Sequence, residues 1–354
     1  MSEYLKEQLK LAVENFLSKS QIPGAAVAVY VNSQAFLELG IGYQNLSHTV
    51  LLPTDANFYI YSITKSLLAT VSLYLVNQGL LTLDTSLQPY TPFLDTPITL
   101  RQLLSHTSGL PEYGELPIYF ASVKANPASP WSTQEFLEII QKQGLQFPPG
   151  QGWKYSNIGY LVLRCVLEKI TGLSIQQLLE KVIFNPLGLQ KTFLPQSLDD
   201  VYQLTPGYSN FFHQDELQDI SQIYHPGWVA HSVVISTAPE LAKIIDALFT
   251  GKIIPPDLVE QMLSPVHIFG EYPPLKLAGY GLGLALDVES PYGKMGGHNG
   301  GGPGYSTAAF HFSKLANSRV TVVALLNRDK HDHGLLLVDK IAQVFQEFVV
   351  DGLG

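Results

Sequence analysis

The sequence predicts a two-lobed α+β / α/β fold: an antiparallel sheet flanked by the N- and C-terminal helices, with a mainly helical lobe inserted. Three observations carry this. Apolar runs at Gly24–Val31, Ala35–Ile41 and Val320–Leu326 read as strands, and they come from opposite ends of the 354-residue chain. Apolar residues at helical spacing occur in both terminal segments. Between them, helix signals alternate with loops rich in Pro and aromatic residues. Residues 1–61 and 238–354 are therefore expected to build an α/β sheet lobe, and residues 62–237 a mainly helical one, with the active site between them.

Leu5, Leu9, Ala12, Val13, Phe16 and Leu17 mark an amphipathic first helix. The next two apolar runs surround Asn32-Ser33-Gln34, as in a β-hairpin. Strands apolar on both faces need a sheet covered on both sides. The first helix, with a last one marked by Leu337, Ile341, Val344, Phe345 and Phe348, can cover one face. Leu67, Leu68, Val71, Leu75 and Val76 predict a helix from about Ser62 to Gln78, stopped at Gly79. Thr99–Leu104, Ile158–Ile170, Ser174–Phe184 and Glu240–Phe249 are further helix candidates. Loops at 111–130 and 205–228 carry Tyr113, Tyr119, Phe120, Tyr208, Phe211, Phe212 and Tyr224. Such rings read equally as pocket lining and as packing beneath their own loops. Tyr280–Leu286 and Ser306–Phe312 read as strands returning to the sheet.

Composition excludes several functions. A formal charge of -9 and four scattered arginines leave nothing to bind nucleic-acid phosphates. The lone Cys165 excludes an internal disulfide and a Cys-based metal site. Residues 1–8 carry both charge signs and no apolar run, unlike a signal peptide, and no stretch reaches membrane-spanning length. With Met1 as the natural start a cytoplasmic protein is expected; a mature exported chain with an added Met would look the same.

Three stretches bear chemistry. Ser62-Ile63-Thr64-Lys65 opens the second helix, so Ser62 and Lys65 share one face, where the amine can touch the hydroxyl. A serine becomes a nucleophile when a neighbour takes its proton, and a helix N-terminus favours developing negative charge. The plain alternative is an N-cap serine with an exposed lysine one turn on. Tyr155-Ser156-Asn157 follows a Pro-Pro-Gly turn. Beside an ammonium the anionic form of Tyr155 would be favoured, making it a base, and Asn157 can hold both Lys65 and a substrate carbonyl. An ordinary helix-entry turn is the alternative. Gly296–Tyr305 contains His298, Asn299, Gly300 and Gly301; its glycines allow close approach to a substrate and free N–H groups for an oxyanion. It reads otherwise as a flexible hairpin end. No G-x-S-x-G elbow exists, and His331-Asp332-His333 has no further ligands in sight, so no metal or other cofactor is expected.

Taken in order, S-I-T-K, Y-S-N and H-N-G resemble the serine β-lactamase and penicillin-binding protein superfamily. Tyr in the second motif and His in the third resemble the branch of AmpC-type β-lactamases, DD-peptidases, D-aminopeptidases and family VIII carboxylesterases. Leu103–Pro111, Phe147–Gly150 and Ile235–Leu241 match that branch too. The resemblance implies a β-lactamase/transpeptidase-like fold and an acyl-enzyme on Ser62. It implies that Lys65 and Tyr155 share the proton traffic, leaving open which is the base, and that Asn157 aligns Lys65 and substrate. His298 takes the place of the lysine of K-T-G, near Tyr155, with a charge that varies near neutral pH. The N–H groups of Ser62 and Gly301 would form the oxyanion hole, with Asn299 and Gly300 binding substrate. His106 in S-H-T-S-G more plausibly fixes a turn.

Asn299 stands where many relatives carry Thr or Ser, and residues 279–297 contain no arginine. Both features weigh against recognition of a D-Ala carboxylate. The reading is therefore a serine hydrolase of a small ester, amide or short peptide, with esterase or small-peptide amidase favoured. A β-lactamase or D-Ala-D-Ala carboxypeptidase is the rival, and a sensor or assembly module acylated without turnover is the rival from another class. Oligomeric state is not encoded in any motif.

Overall fold

A computed structural model describes residues 2–213 and 216–350. Helix Ser2–Ser20 leads into β1 (Gly24–Val31) and β2 (Gln34–Gly42), a hairpin turned by Asn32 and Ser33 at φ 47° and 68°. Two positive φ values make the turn whose twist matches paired strands. β3 (Phe58–Tyr59) precedes helix Ile63–Asn77. A helical stretch follows, with Asn157–Thr171 at its centre and a small ladder of β4 (Tyr208–Ser209) and β5 (Gln218–Asp219). β6 (Ile235–Ser236) pairs with β3 and enters helix Ala238–Phe249. The chain then adds β7 (His267–Tyr272), β8 (Leu275–Tyr280), β9 (Ala285–Asp287), β10 (Met295–Gly302), β11 (Tyr305–Leu315) and β12 (Ser318–Leu326), and closes with helix His333–Val350.

Eight of these strands form one antiparallel sheet in the order β2-β1-β12-β11-β10-β9-β8-β7. The chain ends meet at its middle, where Val27 faces Ala324 and Val29 faces Val322. Alternation divides the burial. Val27, Val29, Phe310, Val320 and Val322 pack with Leu9, Val13, Leu337 and Ile341 of the terminal helices. Ala26, Ala28, Ala309, Val323 and Leu325 belong to the second core, with Leu241 and Ile245 of helix Ala238–Phe249 and with Ile63, Leu67 and Leu68. Both faces are covered, as the doubly apolar strands require.

Several expectations are corrected. Tyr280–Leu286 is not one strand: β8 ends at Tyr280, and the chain dips toward the helices before β9. There the Gly283 N–H donates to the Leu104 carbonyl at 2.9 Å, and its carbonyl accepts from Ser66 Oγ at 2.7 Å. Gly283, at φ 71°, lies where a Cβ would meet Ala69. Secondly, the glycine-rich stretch is a strand rather than a loose hairpin end; β10 is paired along its length with β11. The loop at 111–130 contains helix Pro117–Ala125. Helices Thr133–Gln143 and Pro256–Leu263 and strand β7 also went unread, and Ser174–Phe184 becomes a short α-helix followed by a π-helical turn.

The glycines of β10 differ in purpose. A Cβ at Gly297 would strike the Ala309 carbonyl and the Phe310 Cα at 2.7 Å, whereas one at Gly301 meets nothing within 4 Å. Gly297→Ala should therefore lose about 1–3 kcal/mol in urea unfolding, the cost of overpacking. Gly301→Ala should stay within about 0.5 kcal/mol of the parent. Equal losses at both positions would contradict this packing.

Candidate active site

Ser62 stands at the head of its helix because the chain reverses sharply after β3. Tyr61 makes that reversal with φ 43°, a left-handed conformation that costs a bulky residue energy and recurs at functional sites. Its hydroxyl, donating to the Pro303 carbonyl at 2.5 Å, and its contacts with the Tyr59 and Tyr305 rings hold it there. Ser62 occupies the N-cap position but makes no capping bond, so its Oγ is left for other partners. Lys65 is fully buried rather than exposed, which disposes of the N-cap alternative.

The Lys65 Nζ lies 3.0 Å from Ser62 Oγ, 2.6 Å from Asn157 Oδ1 and 2.7 Å from His231 Nε2. It also lies over the Tyr155 ring, 4.8 Å from its centroid. Burial pulls its pKa down to about 7, against the opposing pull of the Glu112 carboxylate. The Tyr155 hydroxyl donates to Ser62 Oγ at 2.8 Å. Tyr155 is partly open to the cleft, yet the protein around its hydroxyl pushes its pKa well above the ordinary tyrosine value. This corrects the expectation of a favoured tyrosinate: desolvation, helped by the Glu112 carboxylate, outweighs the hydrogen bond with Ser62.

Asn157 begins helix Asn157–Thr171, whose N-cap Ser156 accepts from the Gly159 N–H. Its amide is oriented by Glu112, which accepts from Asn157 Nδ2 at 2.9 Å and from its backbone N–H at 2.5 Å. One amide hydrogen is thus committed to Glu112 and Oδ1 must face Lys65. His106, at φ 61°, fixes the approach to this motif by accepting from the Ser156 N–H at Nδ1, 3.1 Å away.

His298 is brought to the site by β10, but not as expected. Its Nδ1 lies 2.5 Å from the Asn299 carbonyl and its Nε2 3.0 Å from the Tyr280 hydroxyl. A carbonyl accepts only, so Nδ1 carries the proton and Nε2 accepts from Tyr280. Tyr280 in turn lies 3.2 Å from His106 Nε2, the protonated nitrogen of that ring because its Nδ1 already accepts. Burial, with Lys65 nearby, pushes the His298 pKa down to about 3. The ring is neutral around pH 7 and has no proton directed at Tyr155, whose ring centroid is 6.4 Å away. The expected variable charge is corrected.

A cleft of about 740 Å³ opens over Ser62, walled by Tyr155, Gly300, Gly301 and the aromatic rings of Tyr119, Phe120, Phe211 and Tyr224. Asn299 also lines it, and its Nδ2 donates to Asp332 Oδ1 at 2.9 Å. Asp332 Oδ2 accepts from the Tyr272 hydroxyl at 2.5 Å and lies 3.0 Å from His331 Nδ1. The His333 ring turns to Phe16 instead. Among the described residues no arginine lines the cleft, and its one lysine, Lys330, donates to the Ser20 carbonyl at 2.5 Å.

The Beta-lactamase family profile matches residues 9–344, nearly the whole chain. The protein belongs to the Beta-lactamase family. It is a serine hydrolase. Penicillin-binding protein 4* of Bacillus subtilis (strain 168) is 26% identical over 343 residues, covering 93% of this chain and 73% of that protein. Two solved structures share the fold. A D-stereospecific amidohydrolase from Streptomyces sp. superposes with a TM-score of 0.79, 24% identity and 99% of each chain covered. The D-amino acid amidase of Ochrobactrum anthropi SV3, complexed with L-phenylalanine amide, gives 0.80, 22% and 99% of each chain.

In this Beta-lactamase family member the structure gathers Ser62, Lys65, Tyr155 and Asn157 by direct hydrogen bonds, with His298, Asn299, Gly300 and Gly301 along the cleft. Sequence reasoning missed Glu112, His231 and Tyr280. Glu112 directly follows the matching Leu103–Pro111 stretch and was within reach; His231 and Tyr280 lie in apolar runs with no local signal. Nitrogen NMR of labelled protein should show His298 neutral, protonated at Nδ1, with no titration from about pH 5 to 8, where an ordinary histidine titrates. A His298 midpoint near neutrality would overturn the assignment.

Proposed function

We propose that this chain hydrolyses a small amide or ester by transient acylation of Ser62, with the neutral amine of Lys65 as general base. The observation that carries this is one self-consistent run of hydrogen bonds. Tyr155 donates to Ser62 Oγ; the Ser62 hydroxyl can then donate to the Lys65 lone pair, while the amine donates to Asn157. With its pKa drawn down to about 7, the amine is available as a base at neutral pH. Tyr155, pushed upward, keeps its proton and acts as a hydrogen-bond donor.

In the acylation step the Ser62 O–H bond breaks, its proton passes to Lys65 Nζ, and Oγ bonds to the carbonyl carbon. The carbonyl π pair moves onto oxygen. The N–H groups of Ser62, at a helix start, and of Gly301, in an uncrowded part of the cleft wall, are the proposed oxyanion donors. Collapse expels the leaving group, which takes the proton from the Lys65 ammonium. Water then repeats the sequence: its proton goes to Lys65, its oxygen bonds to the acyl carbon, and Ser62 leaves and is reprotonated.

The cleft favours an apolar acyl group without a free carboxylate. Its rings supply apolar surface, Asp329 and Asp332 make its charge acidic, and Lys330 is occupied. Asn299 and Gly300 would contact the substrate from β10. Small amides are the first substrates to try, since an amidase and an amidohydrolase are among the similar structures. The name of the B. subtilis relative keeps penicillin as the comparison.

A fluorophosphonate should add its phosphonyl mass to the peptide containing Ser62 and none to Ser62→Ala; labelling unchanged in that variant would refute the nucleophile. The active amine is deprotonated, so kcat/KM should fall about tenfold per pH unit below about 7 and level off above it. A rate still climbing through about pH 10 would instead indicate a tyrosinate base. Short-chain aryl esters and small amides should exceed benzylpenicillin and D-Ala-D-Ala peptides in kcat/KM, and the reverse order would refute the substrate class alone.

A further inference from the structure

We propose that His231 is a positioning residue: by accepting one Lys65 N–H, its ring turns the lone pair of the amine onto Ser62. The inference rests on Lys65 being the base that takes the Ser62 proton.

His231 is buried beside Lys65, in the segment between the turn at Pro226–Trp228 and β6. That segment is tied to the Ser62 helix: the Val234 N–H donates to Thr64 Oγ1 at 3.1 Å and the Val234 carbonyl accepts from the Ile60 N–H at 3.0 Å. A neutral amine has two N–H donors and one lone pair for the three polar atoms around Nζ. Asn157 Oδ1 accepts only, because its Nδ2 is held by Glu112. One N–H and the lone pair remain, to be divided between Ser62 Oγ and His231 Nε2.

The imidazole tautomer decides the division. A proton on Nε2 would point into the lone pair and leave an N–H facing Ser62, which cannot take its proton. A proton on Nδ1 leaves Nε2 to accept the N–H, and the lone pair then faces Ser62 at 3.0 Å. The ammonium form selects this second tautomer in advance, since it has three N–H groups and no lone pair. The cost is visible: His231 Nδ1 is buried without a partner among the described residues. An unpaired buried polar atom beside reacting groups is the kind of exception that needs a functional reason. The other titratable groups around the amine are Glu112, Tyr155, Tyr160, His106 and His298, and Arg164 lies toward His231.

The test compares His231→Leu, which fills space but cannot accept, with His231→Gln, whose amide oxygen can. The readout is the fluorophosphonate labelling rate of Ser62 against pH, with thermal melting to verify folding. In His231→Leu the rate should fall about 10- to 100-fold, the scale of a misdirected catalytic group. Its acid limb should also move to lower pH, because the ammonium loses an acceptor that the amine can do without. His231→Gln should recover most of the rate and return the limb toward the parental position. A Leu variant with parental rate and limb, or a Gln variant no better than Leu, overturns the proposal. A parental protein not labelled at Ser62 overturns the underlying reading instead. If neither variant folds, nitrogen NMR of the parental protein decides: a protonated Nδ1 with a bare Nε2 supports the proposal, and a protonated Nε2 refutes it.

Discussion

A lysine amine buried with no ion-pair contact among the described residues is the constraint on which this site depends. Taking an ammonium out of water is expensive, and the group responds by giving up its proton more readily. The Lys65 environment is built to do that in a controlled way. Three polar atoms surround Nζ, none of them charged, while the nearest carboxylate, Glu112, acts at one remove through Asn157. Had Glu112 touched Nζ directly, the ammonium would have been stabilised and lost as a base. Placed behind Asn157, it orients an amide while moderating the fall in pKa.

The same logic extends along the sheet side of the cleft. His106, Tyr280 and His298 form a line in which each proton has an assigned place: His106 Nε2 donates to Tyr280, and Tyr280 donates to His298. Such a line positions β10 and the Tyr155 segment relative to each other without adding charge beside Lys65. Neutral rings suit a base tuned near neutral pH, because each further positive charge would lower the Lys65 pKa and each negative one would raise it. Gly300 of β10, where a Cβ would meet the Ile60 carbonyl, lets that strand run against the backbone at the head of the Ser62 helix.

Much of this was legible in the amino-acid sequence, for reasons that differ by residue. Doubly apolar runs such as Gly24–Val31 and Val320–Leu326 had to be covered strands, and Ser62-x-x-Lys65 at a helix start placed two groups within reach. What escaped was non-local. The charge state of His298 depends on burial and on Tyr280, 18 positions away, and no spacing rule reports either. His231 reaches Lys65 across 166 positions from an unremarkable apolar segment. The helix at 117–125 was obscured by Pro and aromatic residues that read as loop, and the helix at 133–143 went unread although Ser132 and Glu135 form a capping box that marks it.

The most direct test is titration of the Lys65 side chain itself, by carbon NMR of the free protein labelled in lysine Cε, with Lys65→Arg to assign the resonance. A midpoint near pH 7, well below that of an ordinary lysine, is expected from burial among neutral partners. A midpoint at about 10 or above would mean that Lys65 remains an ammonium through neutral pH, and it would contradict the assignment of this amine as the base.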